Sequence, residues 1–410
     1  MTKPAQPFFS NLWPWLLLVL LWGVALLNYL DRQVIFSIFP LLQSDMHASS
    51  VQLGLTGTLF LLTYGAMSPF AGVAADRFGQ GRIIVASLII WSAASFMAGH
   101  AHSMQTMLWT RAAMGLSEAF YIPAALGLLV KVHEERFRSL ATGIHQTGCY
   151  AGIIAGGTIG GMAAHSYSWR SIFMVLGLVG VVYSVILYTV LRGHQTKGDA
   201  ATIRRVDFQR LMRSVSLRLY TLVFMAFSIA TWMLYAWLPL YLYDHFHMSL
   251  IAAGFEATFW LQTTSFAGAF LGGIVSDRFG RRFPAARMIV QASGLALACP
   301  FLFVLSHTNS QAMVIVALIS IGLGRGCFDA NTAPILADML TPELCSSAYG
   351  ILNCAGCVIA GLTTLLGGWM RENMSFPMVF AVAGLALLGG VLCLLVLFRS
   401  ASASPAASAA

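Results

Sequence analysis

Twelve apolar stretches follow one another along the 410-residue chain, at roughly 13–39, 51–72, 83–101, 106–130, 139–163, 170–191, 217–243, 250–275, 285–306, 311–338, 345–370 and 376–398. About 20 apolar residues in a helix cross the ~30 Å hydrocarbon core of a bilayer. In that medium every backbone polar group must find a partner within the protein, which a helix provides. Only 9% of the residues are charged, against about 25% in a soluble domain. The expectation is an all-α membrane protein with twelve transmembrane helices. The first apolar run is long and leads into further runs rather than a small-residue cleavage site, so no cleaved leader is expected.

The basic residues orient this map. With a cytoplasmic N-terminus, 18 of the 23 Lys and Arg residues fall in inside segments, two (Arg170 and Arg371) outside, and three (Arg32, Arg111 and Arg325) within spans. That bias predicts both termini in the cytoplasm. It also accounts for a net charge of +8 without a nucleic-acid partner. The polar stretch 192–216 divides the spans six and six. It predicts an N-terminal six-helix bundle over 1–191, a cytoplasmic linker over 192–216 with an amphipathic turn near Phe208–Met212, and a C-terminal bundle over 217–398. Residues 399–410 are low in complexity and expected to be disordered.

Charges inside the spans carry the functional signal. The fourth span contains RAAMGLSEAFYIP, from Arg111 to Pro123. Seven residues make almost two helical turns, so Arg111 and Glu118 point the same way, about 10 Å apart along the axis. A charge at mid-depth costs roughly 2.5–3.5 kcal/mol and usually faces a bundle interior or a wet cavity. The pair is read either as a structural ion pair or as part of a polar transport site. In the first span Asp31 and Arg32 are adjacent, so they point about 100° apart. One arrangement sends Arg32 to a central cavity and Asp31 toward span four and Arg111. Burial disfavours a charged carboxylate while a nearby arginine favours it, so Asp31, Glu118 or both are candidates for proton binding.

The two halves repeat. Gly72-Val-Ala-Ala-Asp76-Arg77-Phe78-Gly79 follows span two, and Gly273-Ile-Val-Ser-Asp277-Arg278-Phe279-Gly280 follows span eight, 201 residues later. Matching loops in two six-span halves indicate a parallel repeat about an axis along the membrane normal, with a binding site at mid-depth between them. The loops resemble the G-x-x-x-D-R-x-G-R-R signature of the major facilitator superfamily, though Gln80-Gly81 precede Arg82 in the first copy. The resemblance covers nearly the whole chain and implies two six-helix bundles working by alternating access. It also implies that Asp76, Arg77, Asp277 and Arg278 latch one side of the protein; the alternative is that these loops only set topology.

A narrower resemblance rests on Asn28-Tyr29-Leu30-Asp31-Arg32 together with Arg111 and Glu118. These residues look like those of the anion:cation symporter group of sugar-acid and organic-anion permeases. Here Gln33-Val34-Ile35 follow the arginine, where many members carry a polar residue and Asn-Leu. The resemblance implies that Arg32 contacts a substrate carboxylate, that Asp31 and Glu118 carry protons, and that Arg111 is a charge partner or second anion contact. Spinster-type lipid carriers share the N-Y-x-D-R pattern, and Gly115-Leu-Ser-Glu118-Ala119 fits both groups.

Further candidates for the substrate site are Tyr29, Tyr64, Gln146, Tyr150, Tyr235, Asn331 and Asn353, each also readable as an interhelical hydrogen-bonding group. Trp232, Tyr235, Trp237 and Tyr241 are read as an interfacial aromatic belt, with Tyr235 alone among them also readable as facing the cavity. Arg325 and Asp329, four apart, are read as an intrahelical pair or as substrate contacts. His145 is either a proton shuttle or structural. Gly152, Gly156, Gly157, Gly160 and Gly161 form a small-residue face that permits close helix approach. Cys354-x-x-Cys357, with no second pair nearby, reads as small-residue packing rather than a redox or metal pair.

No G-x-x-x-x-G-K-[ST] loop occurs, so ATP-driven transport is not expected, nor is any cofactor or metal. A receptor or scaffold without transport is disfavoured by the charged span interiors and duplicated loops. The expectation is a monomeric, proton-coupled symporter of a small organic anion, a carboxylate or sugar acid, in a bacterial-type inner membrane. The alternative is a Spinster-like lipid or lysolipid carrier, or a drug exporter.

Overall fold

The computed structural model describes residues 12–166, 168–192, 211, 213–280, 283 and 285–402. Most of the expected linker, with its amphipathic turn, and the tail from residue 403 lie outside the described residues. The first half comprises α1 (Leu12–Ser37), α2 (Phe39–Met46), α3 (Ser50–Phe78), α4 (Gln80–Gly99), α5 (Met104–Glu118), α6 (Tyr121–Val132), α7 (Arg138–Ser166) and α8 (Trp169–Arg192). The second comprises α9 (Val215–Phe246), α10 (Leu250–Gly280), α11 (Ala286–Leu305), α12 (Gln311–Met339), α13 (Pro342–Asn373) and α14 (Met378–Ser402). No strand occurs among the described residues. With α5 and α6 taken as one crossing and the short α2 set aside, the long helices make twelve membrane crossings in two bundles of six.

Serines start several of these helices. Ser49 accepts from the Gln52 backbone N–H while the Gln52 side chain accepts from the Ser49 N–H, a reciprocal capping box. Ser103, Ser214 and Ser310 cap α5, α9 and α12 in the same sense. Apolar side chains such as Ile90, Val182, Leu385 and Val396 remain exposed, as a surface against lipid requires.

The repeat seen in the sequence recurs in the packing. α3 lies against α5 and α4 against α8; in the second half α10 lies against α12 and α11 against α14. Between the bundles, α3 meets α13 and α7 meets α10.

These cross-bundle contacts are concentrated toward one end. There Arg371 of α13 donates to Ser50 Oγ at 2.9 Å and pairs with Asp244 at 2.7 Å, and Glu372 accepts from the Val51 N–H at 3.1 Å. Deeper in, Thr58 Oγ1 donates to the Gly361 carbonyl at 2.8 Å. The glycines of α7 divide into two stripes. Gly156 and Gly160 lie against α1, where an added Cβ would come 2.7 Å from Leu30 O or Ser37 Cβ. Gly157 and Gly161 lie against α10, Gly157 directly on the Gly254 carbonyl and Gly161 with room for a Cβ only 2.5 Å from Ile251 Cα.

The end carrying Asp76 and Asp277 is different. A methyl group added at Gly72, Gly143, Gly273 or Gly350 would meet nothing within 4 Å. Among the described residues, the contacts between the bundles therefore gather at the Arg371 end and thin toward the Asp76/Asp277 end. Substituting leucine for Gly157 is expected to wedge the Arg371 end open. Spin labels at Met46 and His247 should then move apart by pulsed electron resonance; an unchanged separation would contradict this packing account.

Candidate substrate site

Arg32 sits at mid-depth on α1, with its side chain stacked among aromatic rings. Its guanidinium carbon lies 4.7 Å from the Tyr29 ring centre, 4.9 Å from Phe60 and 4.8 Å from Tyr64. Arginine over an aromatic face is stabilised by the ring quadrupole, by about 0.5–2 kcal/mol. Behind it, Glu118 accepts from Arg32 Nη2 at 3.0 Å and from Nε at 3.3 Å. Glu118 has no solvent exposure, whereas Arg32 keeps 8%. The arginine is thus the accessible member of the pair and the carboxylate its buried counterion.

The helix carrying Glu118 is interrupted at that point. α5 ends at Glu118 and α6 begins at Tyr121. Pro123 has no N–H to offer the Ala119 carbonyl, and its ring crowds that carbonyl. Ser87 Oγ donates to the Ser117 carbonyl at 2.5 Å beside the break.

Arg111 lies behind Phe60, 4.7 Å from its ring centre, and is wholly buried. Its Nε donates to the Thr56 carbonyl at 3.5 Å and its Nη1 to Met114 Sδ at 3.6 Å. Arg111 does not meet Arg32 directly, because the Phe60 ring lies between them; it stays within electrostatic reach of Glu118 and Asp31, as a charge partner would. Asp31 accepts from Ser95 Oγ of α4 at 2.8 Å and remains within electrostatic reach of Arg111 and Glu118 of span four. The same small region holds loosely satisfied polar groups: Arg111 Nη2 is buried without a hydrogen bond, and Asn28 Nδ2 and Glu118 Oε1 lie near each other without a well-formed one.

The second bundle supplies the facing wall. Tyr235 of α9 accepts from Gln262 Nε2 at 2.7 Å, and Gln262 Oε1 accepts from Arg325 Nη1 at 3.0 Å. Arg325 lies over the Tyr235 ring at 5.2 Å and 3.5 Å from Asp329. Gln33 Nε2 donates to the Tyr235 carbonyl at 3.3 Å, tying α1 to α9 at this level. Tyr150 of α7 lies within electrostatic reach of Arg325 and Asp329. Phe227 and Phe328 stack at 3.9 Å next to this wall.

The remaining candidates divide. Gln146 is exposed on α7. Asn353 donates to Ser68 Oγ at 3.0 Å across the bundles. Asn331 spends its amide on its own helix, donating to the Cys327 carbonyl at 2.8 Å, and is 1% exposed; it does not reach the central space. Trp237 and Tyr241 are buried and donate to the Thr364 and Leu305 carbonyls. They pack α9 into its bundle rather than forming a lipid-facing belt. His145 is buried against Tyr121, 2.9 Å away. Cys357 packs on Gly65 of α3. At the Asp76/Asp277 end, Asp277 lies 3.7 Å from Arg287, which also holds Asp338 at 2.7 Å, and Asp76 accepts from Gln80 at 3.4 Å.

Sequence reasoning missed Phe60, Ser95 and Gln262. A glutamine alone in an apolar span is the same kind of signal as a buried arginine and could have been found. Nothing in the sequence marks Phe60 as the ring between two arginines. A cleft of about 420 Å³ lined by Arg82, Val85, Ile89, Tyr188 and Leu191 lies among residues of α4 and α8, apart from the buried charges.

Comparison with known proteins places this arrangement. The family model described as Major Facilitator Superfamily matches residues 21–265 and 257–410. The chain is 26% identical over 424 residues to the probable galactarate/D-glucarate transporter GudP of Bacillus subtilis (strain 168), covering 93% of this chain and 91% of that one. It is 26% identical over 394 residues to the probable sulfoacetate transporter SauU of Cupriavidus necator, covering 88% of each. A crystal structure of a bacterial homologue of the human lysosomal transporter Spinster, inward-facing and occupied, superposes with a TM-score of 0.81 at 20% identity, covering 95% of this chain and 98% of that one. The chain belongs to the Major Facilitator Superfamily: it is a multi-pass membrane transporter and not an enzyme.

Proposed function

We propose that this transporter carries a small organic anion, a carboxylate or sugar acid, together with protons. The observation that carries the reading is the Arg32–Glu118 pair at 3.0 Å, in which the arginine keeps 8% exposure and Glu118 none. A substrate carboxylate arriving at Arg32 competes for the same guanidinium. As its hold on Glu118 weakens, a buried carboxylate is left with less compensation, and taking up a proton relieves that cost. Substrate and proton therefore enter together. Asp31, held by Ser95, is the second candidate proton carrier. The loosely satisfied polar groups of Arg111, Glu118 and Asn28 leave room for the hydrogen-bond pattern to change when a proton arrives.

The basic-residue bias supports a cytoplasmic position for both termini and for the Asp76/Asp277 end. On that orientation the end with the thinner contacts faces the inside, in a bacterial-type inner membrane. Rocking about the Arg32 level brings Gly72, Gly143, Gly273 and Gly350 into the contact that their opposite numbers now make. Asp76, Arg77, Asp277 and Arg278 then latch the inner side. The protein works as a monomer, since the site lies between its own two halves.

Uptake of radiolabelled carboxylates into proteoliposomes, with an acid-outside gradient, tests the reading. Accumulation of at least one carboxylate that collapses when a protonophore is added is the expected result. Transport of no carboxylate would overturn it. Phe224, Phe227 and Phe328, grouped beside the site in the second bundle, favour one competing reading, a carrier of lysolipids or other amphiphiles. Flipping of a labelled lysolipid in the same liposomes would support that reading instead.

A further inference from the structure

A second arginine, Arg325, lies over Tyr235, whose carbonyl is bound by Gln33 beside Arg32, and the mechanism above leaves it unused. Arg325 has five N–H donors in a fixed fork. One of them meets Gln262 at 3.0 Å. Its Nε is buried without a hydrogen bond and lies 3.5 Å from Asp329 Oδ2, a loose contact for an ion pair. The Asp329 side chain is 34% exposed and that of Arg325 14%, inside a helix predicted to span the membrane. Neither side chain is fully packed away, and Asp329 is the more exposed of the two.

Arg325 is held in place more firmly than it is neutralised. Gln262, which receives its hydrogen bond, is itself fixed by donating to the Tyr235 hydroxyl at 2.7 Å. Tyr235 lies beneath the guanidinium and is tied through its carbonyl to Gln33, the neighbour of Arg32. The Tyr29 side chain interacts electrostatically with Arg32 and with Arg325. Two arginines, one from each bundle, thus converge on one space with tyrosines between them. Their counterions differ. Glu118 is wholly buried, whereas the Asp329 side chain is 34% exposed and only loosely held by Arg325 at 3.5 Å.

We propose that Arg325 is a second anion anchor and that the cargo is a small dianion, with two acidic groups joined by a short chain that bridges Arg32 and Arg325. This rests on the organic-anion reading and sharpens it. Each acidic end is held by a different bundle, so a dianion draws the halves together in a way that a monoanion cannot. A monoanion engages Arg32 and leaves Arg325 on Asp329. Planar guanidinium groups suit bidentate capture of carboxylate or similar oxyanions at both ends.

Binding of chain-matched acids to the purified full-length protein in nanodiscs, measured by calorimetry, tests this. The pairs are succinate with butyrate, glutarate with valerate, and D-glucarate with D-gluconate. The diacid of at least one pair should bind tenfold or more tightly than its monoacid. In Arg325→Gln that ratio should fall toward one. In Asp329→Asn, which removes the competitor for Arg325, it should rise by threefold or more. The proposal is overturned if monoacids and diacids bind wild type alike, if Arg325→Gln weakens both acids of a pair by the same factor, or if Asp329→Asn leaves the ratio unchanged. Failure of every acid to bind would instead overturn the organic-anion reading beneath it.

Discussion

Replacing Arg32 with alanine is expected to lower carboxylate uptake by about 30-fold or more, the largest effect of any single substitution in this protein. Losing one partner of a buried charge-assisted contact costs about 2–5 kcal/mol, and each 1.4 kcal/mol is a factor of ten. The change also strips Glu118 of its only hydrogen-bonding cation at 3.0 Å. The coupling site thus loses its partner along with the binding site. Arg32→Lys should recover little. A compact ammonium lacks the planar fork that offers two parallel donors to one carboxylate, and it cannot lie flat against Tyr29, Phe60 and Tyr64 as the guanidinium does. Initial-rate uptake in proteoliposomes, with melting temperature as a check on folding, gives the result. Wild-type rates in well-folded Arg32→Ala would remove Arg32 from the site.

Glu118→Gln is expected to separate substrate movement from proton movement. The amide can still accept from Arg32, so the helix packing survives, but the competitor for the guanidinium is now neutral. Substrate affinity should not fall and is expected to rise. Downhill exchange of labelled for unlabelled substrate should persist. Accumulation against a gradient should not: one pH unit is worth about 1.4 kcal/mol per proton, or tenfold, and that tenfold should drop to about one. Exchange should also lose its dependence on pH. Undiminished proton-driven accumulation in Glu118→Gln would assign the proton to another group, with Asp31 the next to examine by Asp31→Asn.

Much of the architecture was legible because bilayer physics leaves few options. Apolar runs, duplicated Asp76 and Asp277 loops, and the absence of long polar stretches other than 192–216 pointed to two six-helix bundles. Arg32 and Glu118 were legible as individuals because a charge in hydrocarbon needs a reason. Their partnership was not. Helical spacing paired Glu118 with Arg111, seven residues away on one helix. In the structure Glu118 pairs with Arg32, eighty-six positions away, because α1 packs beside the break that Pro123 enforces. The same blindness hid Ser95 as the partner of Asp31 and Phe60 as the ring between the arginines. Periodicity reports which face a residue occupies and says nothing of which neighbouring helix lies against it. Asn331 shows the converse. A polar residue in a span can be a cavity contact or an internal hydrogen-bonding group, and here a carbonyl one turn back satisfies it.

The central claim is that cargo and a proton relieve each other's cost at the Arg32–Glu118 pair. Recording lumenal pH with a trapped dye, in sealed proteoliposomes given a transported carboxylate at equal starting pH, tests it most directly. The lumen should acidify as substrate enters wild-type vesicles and stay level in Glu118→Gln vesicles that still exchange substrate. Substrate entry into wild-type vesicles with no lumenal acidification would contradict the account.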